Sequence, residues 1–174
     1  MKKQIFILFA VLTVGLASCS KENDATPSTL DGKYNLETIS MKTKIVDEDV
    51  QEENENVASQ GMYYTFSSDG TYKTNAYWSI GEIGKDGKET SGKYTVKGDV
   101  LSITYIDADL GKELTQSMQI KTNSSTQLVL YIGLPELKAS FKAATGLDPF
   151  TAAFVELFLS QMLQFDYNLT FKKA

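Results

Sequence analysis

The chain has 174 residues, with 22 acidic residues against 17 basic ones, no histidine and a formal net charge of −5 at pH 7. Every basic residue is a lysine, so the chain lacks both the bidentate arginine fork and the imidazole base. The acidic balance argues against nucleic acid as a partner. Since histidine and a glycine-rich phosphate loop are both absent, we expect neither an enzyme nor a cofactor.

The N-terminus combines the features of an export signal. Two lysines precede an apolar stretch over residues 5–16, which is shorter than the ~20 residues that span a bilayer. The stretch ends in Leu16-Ala17-Ser18-Cys19, which resembles the lipobox of bacterial lipoproteins. This resemblance implies that residues 1–18 are a lipoprotein signal peptide and that Cys19, the only cysteine, carries the acyl chains of a membrane anchor.

A polar segment separates the cysteine from the body of the chain. Residues 20–24, Ser-Lys-Glu-Asn-Asp, resemble the surface-export tag of lipoproteins from one Gram-negative phylum. The resemblance implies an outer-membrane location, with the cell surface favoured over the periplasmic face. We interpret residues 19–30 as the lipidated cysteine and a flexible tether. Without the signal peptide, 15 lysines face 22 acids, so the mature net charge is −7.

Apolar and polar residues alternate along residues 31–174, which have the size of one domain. At residues 62–67, for example, Met62, Tyr64 and Phe66 alternate with more polar neighbours. Such alternation predicts strands with one buried face. The pattern occurs in eight segments, residues 34–39, 62–67, 72–78, 92–97, 101–105, 114–120, 128–132 and 165–171.

Short turns connect many of these segments. Asp69-Gly70 and Gly98-Asp99 are tight hairpin signals, and residues 84–88 predict a third, looser turn. Consecutive hairpins favour an antiparallel up-and-down meander, and eight strands can close so that no edge is left unpaired. We therefore predict an all-β fold, an eight-stranded barrel with a small helical insertion.

Three motifs carry a family resemblance. They are Leu30-Asp31-Gly32-Lys33-Tyr34-Asn35-Leu36, the hairpin over residues 66–72, and Gly92-Lys93-Tyr94-Thr95-Val96-Lys97-Gly98-Asp99 with the strand that follows it. In this order they resemble the lipocalin-like domain of bacterial lipoproteins, from about residue 30 to residue 132 and again at residues 167–173. The resemblance implies a calycin-type barrel.

A helical insertion over about residues 135–163 precedes the last strand, and its first helix is predicted to end at Gly146. Its second helix is predicted over residues 149–163, with Asp148 as N-cap and Pro149 in the first turn. This helix carries a wide apolar arc. We favour the interpretation that the arc plugs or buttresses the barrel as core, while a lid over an apolar cavity, or a patch for a partner or membrane, stays open. The apolar arc consists of Phe150, Phe154, Leu157, Phe158 and Leu159.

The acidic residues offer little chemistry. The acidic run over residues 47–55 lacks the spacing of a calcium loop, and we interpret it as a solvated loop between the first two strands. Asp107 and Asp109 have the spacing of a paired acid and base, but Asp107-Ala108-Asp109-Leu110-Gly111 also has the composition of a turn, which we favour. We expect no metal site.

Two functions follow from these predictions. The first is an outer-membrane-anchored lipoprotein whose barrel binds one small, largely apolar ligand. The second is a structural or interaction lipoprotein, with a barrel filled by its own side chains, that docks on another envelope protein. For the binding function, the candidate ligand-contacting residues are Tyr72, Leu101, Ile103, Tyr105, Phe154 and Phe158.

Overall fold

The computed structural model describes residues 30–79, 82–143 and 148–174. The described part contains nine strands, a short 3-10 helix at Ala58–Gln60 and two α-helices. In chain order the elements are β1 (Gly32–Ile45), β2 (Gln51–Asn56), β3 (Tyr63–Phe66), β4 (Thr71–Ser79), β5 (Glu82–Lys97), β6 (Val100–Ile106), β7 (Glu113–Asn123), β8 (Gln127–Gly133), α1 (Leu134–Ala143), α2 (Pro149–Gln161) and β9 (Met162–Lys173).

Eight of these strands form the predicted antiparallel barrel. Strands β1 and β3 to β9 pair with their neighbours in chain order, and β9 returns to pair with β1 from Lys173 to Met162. The closing pair joins the first and last strands, so an up-and-down meander becomes a barrel. The fold predicted from the sequence is confirmed.

The ninth strand corrects the prediction for the acidic run. Gln51–Asn56 is strand β2, not part of a loop, and it pairs with the second half of β1, from Thr38↔Asn56 to Thr43↔Gln51. The reason is the length of β1, which continues past its pairing with β3 and leaves an edge for β2. Every residue of β2 is exposed, so no buried face marked it as a strand in the sequence.

The two tight turns are confirmed, and the looser one is wrong. Gly70 and Gly98 adopt positive φ angles of 84° and 60°, which glycine permits without strain. Residues 84–88, by contrast, lie inside β5 rather than between two strands. The pairing of β4 with β5 jumps from Thr74↔Thr90 to Ala76↔Lys85, so residues 86–89 form a large bulge.

Helix α1 completes the barrel wall where a strand is missing. The pairing of β8 with β7 runs only from Gln119 to Asn123, so the first half of β7 has no strand partner on that side. Helix α1 contacts both β7 and β9 there, with Leu137 and Phe141 buried in the core. The Glu136 carboxylate holds the start of α1 by accepting from the Gly133 N–H at 3.1 Å and the Gln119 amide at 2.7 Å.

Helix α2 begins as predicted and ends earlier. The Asp148 carboxylate accepts from the backbone N–H groups of Phe150 and Thr151, each at 3.0 Å, and Pro149 occupies the first turn. The helix ends at Gln161 because Met162 already pairs with Ile45 in the barrel. The glycine predicted to end the first helix, Gly146, lies outside the described residues.

The predicted burial of the α2 arc is wrong for most of its members. Leu159 is the only buried residue of the helix, and Val155, four residues earlier, packs partly against the core. One side of α2 therefore faces the barrel, while the broader apolar side faces solvent. The exposed members are Phe150 at 82%, Phe154 at 60%, Leu157 at 61% and Phe158 at 39%.

The two ends of the barrel differ. At the tether end, where Leu30 leads into β1, the Leu30 carbonyl accepts from the Tyr94 hydroxyl at 2.6 Å. At the opposite end, which we call the helix end, α2 leads into β9 and the Gln161 carbonyl accepts from the Val46 N–H at 2.9 Å. Within the described ranges, neither helix is long and apolar enough to cross a membrane.

Candidate functional site

The interior of the barrel is filled by its own side chains. Leu101 and Ile103, predicted as ligand contacts, are 0% and 1% exposed inside the core. The cavity beside them has a volume of about 10 Å³, which compares with the ~10–15 Å³ that a single water needs. Leu101 and Ile103 are therefore packing residues in this structure, and a lipid chain has no space along the barrel axis.

Aromatic rings account for this filling. Phe66 contacts the ring of Tyr94 edge-on at 5.0 Å between centroids and stacks on Tyr64 at 5.8 Å. Phe171, from the closing strand, meets Tyr64 edge-on at 6.0 Å. Inward rings from β3, β5 and β9 thus meet across the barrel. Rings packed at these distances stabilise one another beyond the area they bury.

A second cavity, the side pocket, opens where the strands part at the helix end. The pairing of β5 with β6 starts only at Lys93↔Thr104, so Tyr105 and Ile106 have no partner on β5. The cavity between β5 and this end of β6 has a volume of about 240 Å³. It is lined by Tyr64, Tyr72, Thr74, Ala76, Tyr77, Trp78, Thr90, Ser91, Tyr105, Ile106 and Ala108.

Two hydrogen bonds shape the aromatic wall of the side pocket. The Tyr72 hydroxyl donates to the Thr104 carbonyl at 2.9 Å, and the Trp78 Nε1–H donates to the Tyr64 hydroxyl at 2.8 Å. The rings of Trp78 and Tyr105 lie 5.9 Å apart. These contacts hold the rings in defined positions, which is how a preformed ligand site is built.

Gly92 makes the position of Tyr72 possible. A Cβ on Gly92 would lie 2.5 Å from the Thr104 carbonyl oxygen and 2.6 Å from the Tyr72 ring and hydroxyl. The tyrosine therefore crosses β5 at a point where only a glycine leaves space. Gly92 belongs to the family motif quoted above, but its role in positioning a pocket residue was not visible in the sequence.

Burial keeps the hydroxyl groups of Tyr72 and Tyr105 protonated at neutral pH. Burial raises the pKa of Tyr72 to about 12. Burial raises the pKa of Tyr105 as well, with further increments from the charge of Asp107 and from Tyr72. Asp107 caps the adjoining turn, because its carboxylate accepts from the N–H groups of Asp109 and Leu110 at 3.1 and 2.9 Å. Asp107 therefore stabilises a turn, as predicted from the sequence.

The structure unites only part of the predicted site. Tyr72 and Tyr105 line the same cavity, but Leu101 and Ile103 lie in the filled core. Phe154 and Phe158 line neither cavity, since α2 packs mainly on β9. The lid arrangement of the two phenylalanines over these four residues is not found. Trp78 and Ile106 were not among the predicted ligand contacts. The sequence feature that could have indicated them is the extra length of β5 relative to β4, residues 86–89.

A polar groove lies on the outer face of β2, β1, β9 and β8. It has a volume of about 660 Å³ and its floor includes Lys42, Glu52, Tyr131 and Asp166. The Tyr131 hydroxyl donates to Asp166 at 2.6 Å, and this bond, with one from Gln164, lowers the pKa of the Asp166 carboxyl. Lys42 pairs with Glu52 at 2.5 Å. The described residues hold no group of three or more potential metal ligands.

The comparison with known families identifies the class of protein. The family described as the lipocalin-like domain matches residues 30–130, which is more than half of the chain. The chain therefore belongs to the lipocalin-like domain family, as its motifs and its closed barrel indicate. The match ends before the two helices. No curated protein and no solved structure matches the chain.

Proposed function

We propose that this lipocalin-like protein is a membrane-anchored binding protein that takes one small, largely apolar ligand in the side pocket. The supporting observation is the contrast between the two cavities, about 240 Å³ at the side pocket and about 10 Å³ in the interior. Ligand sites for drug-sized molecules have volumes of ~300–1,000 Å³. The side pocket suits a smaller ligand, about the size of one substituted ring.

The lining indicates what kind of ring. Tyr72, Trp78 and Tyr105 provide aromatic faces, and Thr74, Thr90 and Ser91 provide hydroxyl groups at the same cavity. Aromatic faces favour a flat apolar body in offset or edge-on contact, and hydroxyls can donate to or accept from one polar substituent. A phenol or an indole has this combination. A long acyl chain does not.

Trp78 offers a direct test, because it is the only tryptophan of the chain and it lines the side pocket. We expect 4-iodophenol to quench its fluorescence saturably in the anchored protein, and palmitate to compete weakly or not at all. Ser91→Phe should fill the pocket from its exposed rim and weaken quenching at least tenfold. Quenching that never saturates would contradict the proposal.

Thr95→Phe is the matched control for this substitution. Thr95 is exposed on the same strand as Ser91, but it does not line the side pocket. This variant should bind 4-iodophenol as the parent does. An equal loss in both variants would mean that a phenylalanine on β5 disturbs the strand rather than the ligand.

The anchor is a separate part of the proposal and rests on the lipobox at Cys19. Acyl chains contribute ~0.8 kcal/mol per buried methylene, and more than one chain makes attachment durable. We expect Cys19→Ala to move the protein from the membrane pellet to the soluble fraction. A variant that still sediments after a high-salt wash would show that another feature holds it. Protease added to intact cells would then report whether the outer membrane presents the domain at the cell surface.

The filled interior favours a second function. A barrel without an internal site can serve as a rigid scaffold, and the protein is then an interaction lipoprotein that docks on another envelope protein. This alternative predicts no saturable quenching of Trp78 by any small aromatic probe. It also predicts that an envelope protein co-purifies with the anchored chain.

A further inference from the structure

Helix α2 presents an apolar face to solvent at the helix end of the barrel. The α2 face, as we name it, consists of Phe150, Phe154, Leu157 and Phe158, all between 39% and 82% exposed. Leu163, just beyond the helix, is 56% exposed. Large contiguous apolar patches are uncommon on monomeric proteins and mark contact surfaces. The face therefore requires an occupant.

The spacing of the face indicates that the occupant is a helix. Phe150, Phe154, Leu157 and Gln161 follow one another at steps of four, three and four residues. The first three of these residues are apolar and occupy successive a/d positions of a helix that packs lengthwise on another helix, while Gln161 is the polar end of this seam. The side of α2 that packs on the barrel, Val155 and Leu159, lies elsewhere on the helix. Among the residues that the structure describes, the packing of α2 thus leaves the seam exposed.

The α2 face carries no charge, so it is suited to an apolar surface, such as the same face of a second copy, rather than to a charged one. The mature chain has 15 lysines and 22 acids, so two copies repel one another wherever their acidic surfaces meet. Glu156 is the only charged residue of α2, and it stands outside the four residues of the face. Copies can therefore meet through the α2 face without bringing charges together.

The area of the face is also suited to a weak dimer. The exposed fractions of Phe150, Phe154 and Phe158 are 82%, 60% and 39%, nearly two whole rings, or about 270–450 Å² at ~150–250 Å² per ring. A two-fold contact doubles this area, and Leu157, which is 61% exposed, adds to it. The total approaches the ~1,200 Å² at the lower end of specific interfaces.

Anchoring would confine such faces to the same layer above the membrane. The tether enters at Leu30 and α2 lies at the other end of the barrel, so copies held by identical tethers would present their α2 faces within the same range of distances from the membrane. A shared membrane also raises the effective concentration of a weak pair. We propose that the α2 face pairs with the α2 face of a second copy in a two-fold antiparallel contact. The height argument and the charge of the mature chain rest on the anchor and signal peptide proposed above.

Cysteine cross-linking in the membranes of cells that produce the full chain tests this pairing. Leu157 lies near the middle of the seam, so Leu157→Cys should place two thiols close to the two-fold axis. We expect a short bis-maleimide to yield a species of twice the chain mass. Adding Phe154→Asp should lower the cross-linked fraction at least tenfold. Because Phe154 is 60% exposed, that substitution should leave the melting temperature near that of the parent.

Two controls separate pairing from collision. Glu156→Cys places a thiol on the same helix one residue away, off the face, and should give little cross-link. The chain with no added cysteine measures any product that comes from Cys19. Equal cross-linking at Glu156→Cys and Leu157→Cys would overturn the proposal.

The remaining outcomes are equally decisive. A cross-link to a protein of another mass would overturn self-pairing in favour of a different envelope partner. Folded Leu157→Cys chain without any cross-linked product would also overturn it. Because the soluble and membrane fractions are read separately, loss of the anchor would appear as a change of fraction and loss of pairing as a change of mass.

Discussion

Phenylalanines in the barrel strands and phenylalanines on α2 have opposite environments. Phe66, Phe165 and Phe171 are at most 5% exposed, whereas Phe150 and Phe154 are 82% and 60% exposed. The difference lies in how each element is covered. A closed barrel buries the inner face of every strand, so alternation is enough to assign a side chain to the interior. A helix at the end of the barrel packs only one of its sides on the barrel, so its other sides stay exposed.

The same contrast distinguishes the two proposals made for these regions. Packing in the strand region leaves a defined side pocket. There the Tyr72 hydroxyl donates to the Thr104 carbonyl, and Gly92 leaves space for the Tyr72 ring. The helix region leaves an uncovered surface instead. A small molecule is suited to the first and a macromolecule to the second. The following predictions test this division, from the largest expected effect to the smallest.

Leu101→Ala and Leu157→Ala form the most direct pair. Leu101 is 0% exposed in the filled interior and Leu157 is 61% exposed on α2. Removing a buried leucine costs ~2–5 kcal/mol of unfolding free energy, while an exposed one away from special features changes it by about 0.5 kcal/mol or less. Urea unfolding of both variants measures the difference. Equal losses would mean that the α2 face is covered within the same chain.

Gly92→Ala should be the next most damaging change. The added methyl would lie 2.5 Å from the Thr104 carbonyl oxygen, which is backbone, and 2.6 Å from the Tyr72 ring. We expect a loss of about 1–3 kcal/mol together with a shifted emission of Trp78, because Tyr72 must leave its position. Thermal unfolding and fluorescence spectra measure the two effects.

Gly87→Ala is its control in the same strand. Gly87 lies in the β5 bulge, and an added Cβ there meets nothing within 4 Å. The variant should match the parent in stability and in emission. A comparable loss would show that β5 tolerates no added side chain at all, independent of Tyr72.

The Tyr131–Asp166 pair gives a pH dependence of known sign. The hydrogen bond from Tyr131 lowers the pKa of Asp166 in the folded chain, so the pair contributes stability above the ordinary carboxyl pKa of ~3.9. That stability is lost as the pH falls through the lower pKa of the folded state. Asp166→Asn should cost about 1 kcal/mol or less at pH 7. The gap between variant and parent should narrow toward pH 2, as melting curves would show.

The smallest effect is expected at the start of α2. Asp148→Ala removes the side-chain acceptor of the Phe150 and Thr151 N–H groups, which have no carbonyl partner within the helix. Since α2 is mostly exposed, the barrel should melt as before. Hydrogen exchange at the first turn of α2 should become faster. Unchanged exchange would mean that a contact outside this chain holds the turn.

Much of the fold could be predicted because alternation and turn residues act locally. Asp69-Gly70 and Gly98-Asp99 require backbone angles that few other pairs adopt, so they mark hairpins without knowledge of the partner strand. Strand β2 could not be found in this way. Its six exposed residues have no buried face, and only the extra length of β1 provides the edge with which they pair.

The candidate site was predicted in part for a similar reason. Tyr72 and Tyr105 alternate inward on their strands, and that period places both of them toward the barrel. Whether an inward residue lines a cavity or fills one depends on the neighbouring strands. The parting of β5 from β6 leaves space beside Tyr105, whereas continuous pairing around Leu101 and Ile103 leaves none.

By itself, the sequence determined the family, the eight barrel strands and the N-cap of α2, since each depends on neighbouring residues or on a short period. Only the tertiary structure decided that the interior is filled, that the side pocket lies between β4, β5 and β6, and that the α2 face is exposed. These features depend on the register and length of strands distant in the chain. Phe154 is equally apolar whether it faces the barrel or solvent. The sequence therefore cannot tell which side of α2 the barrel covers; the position of the helix on the barrel decides this.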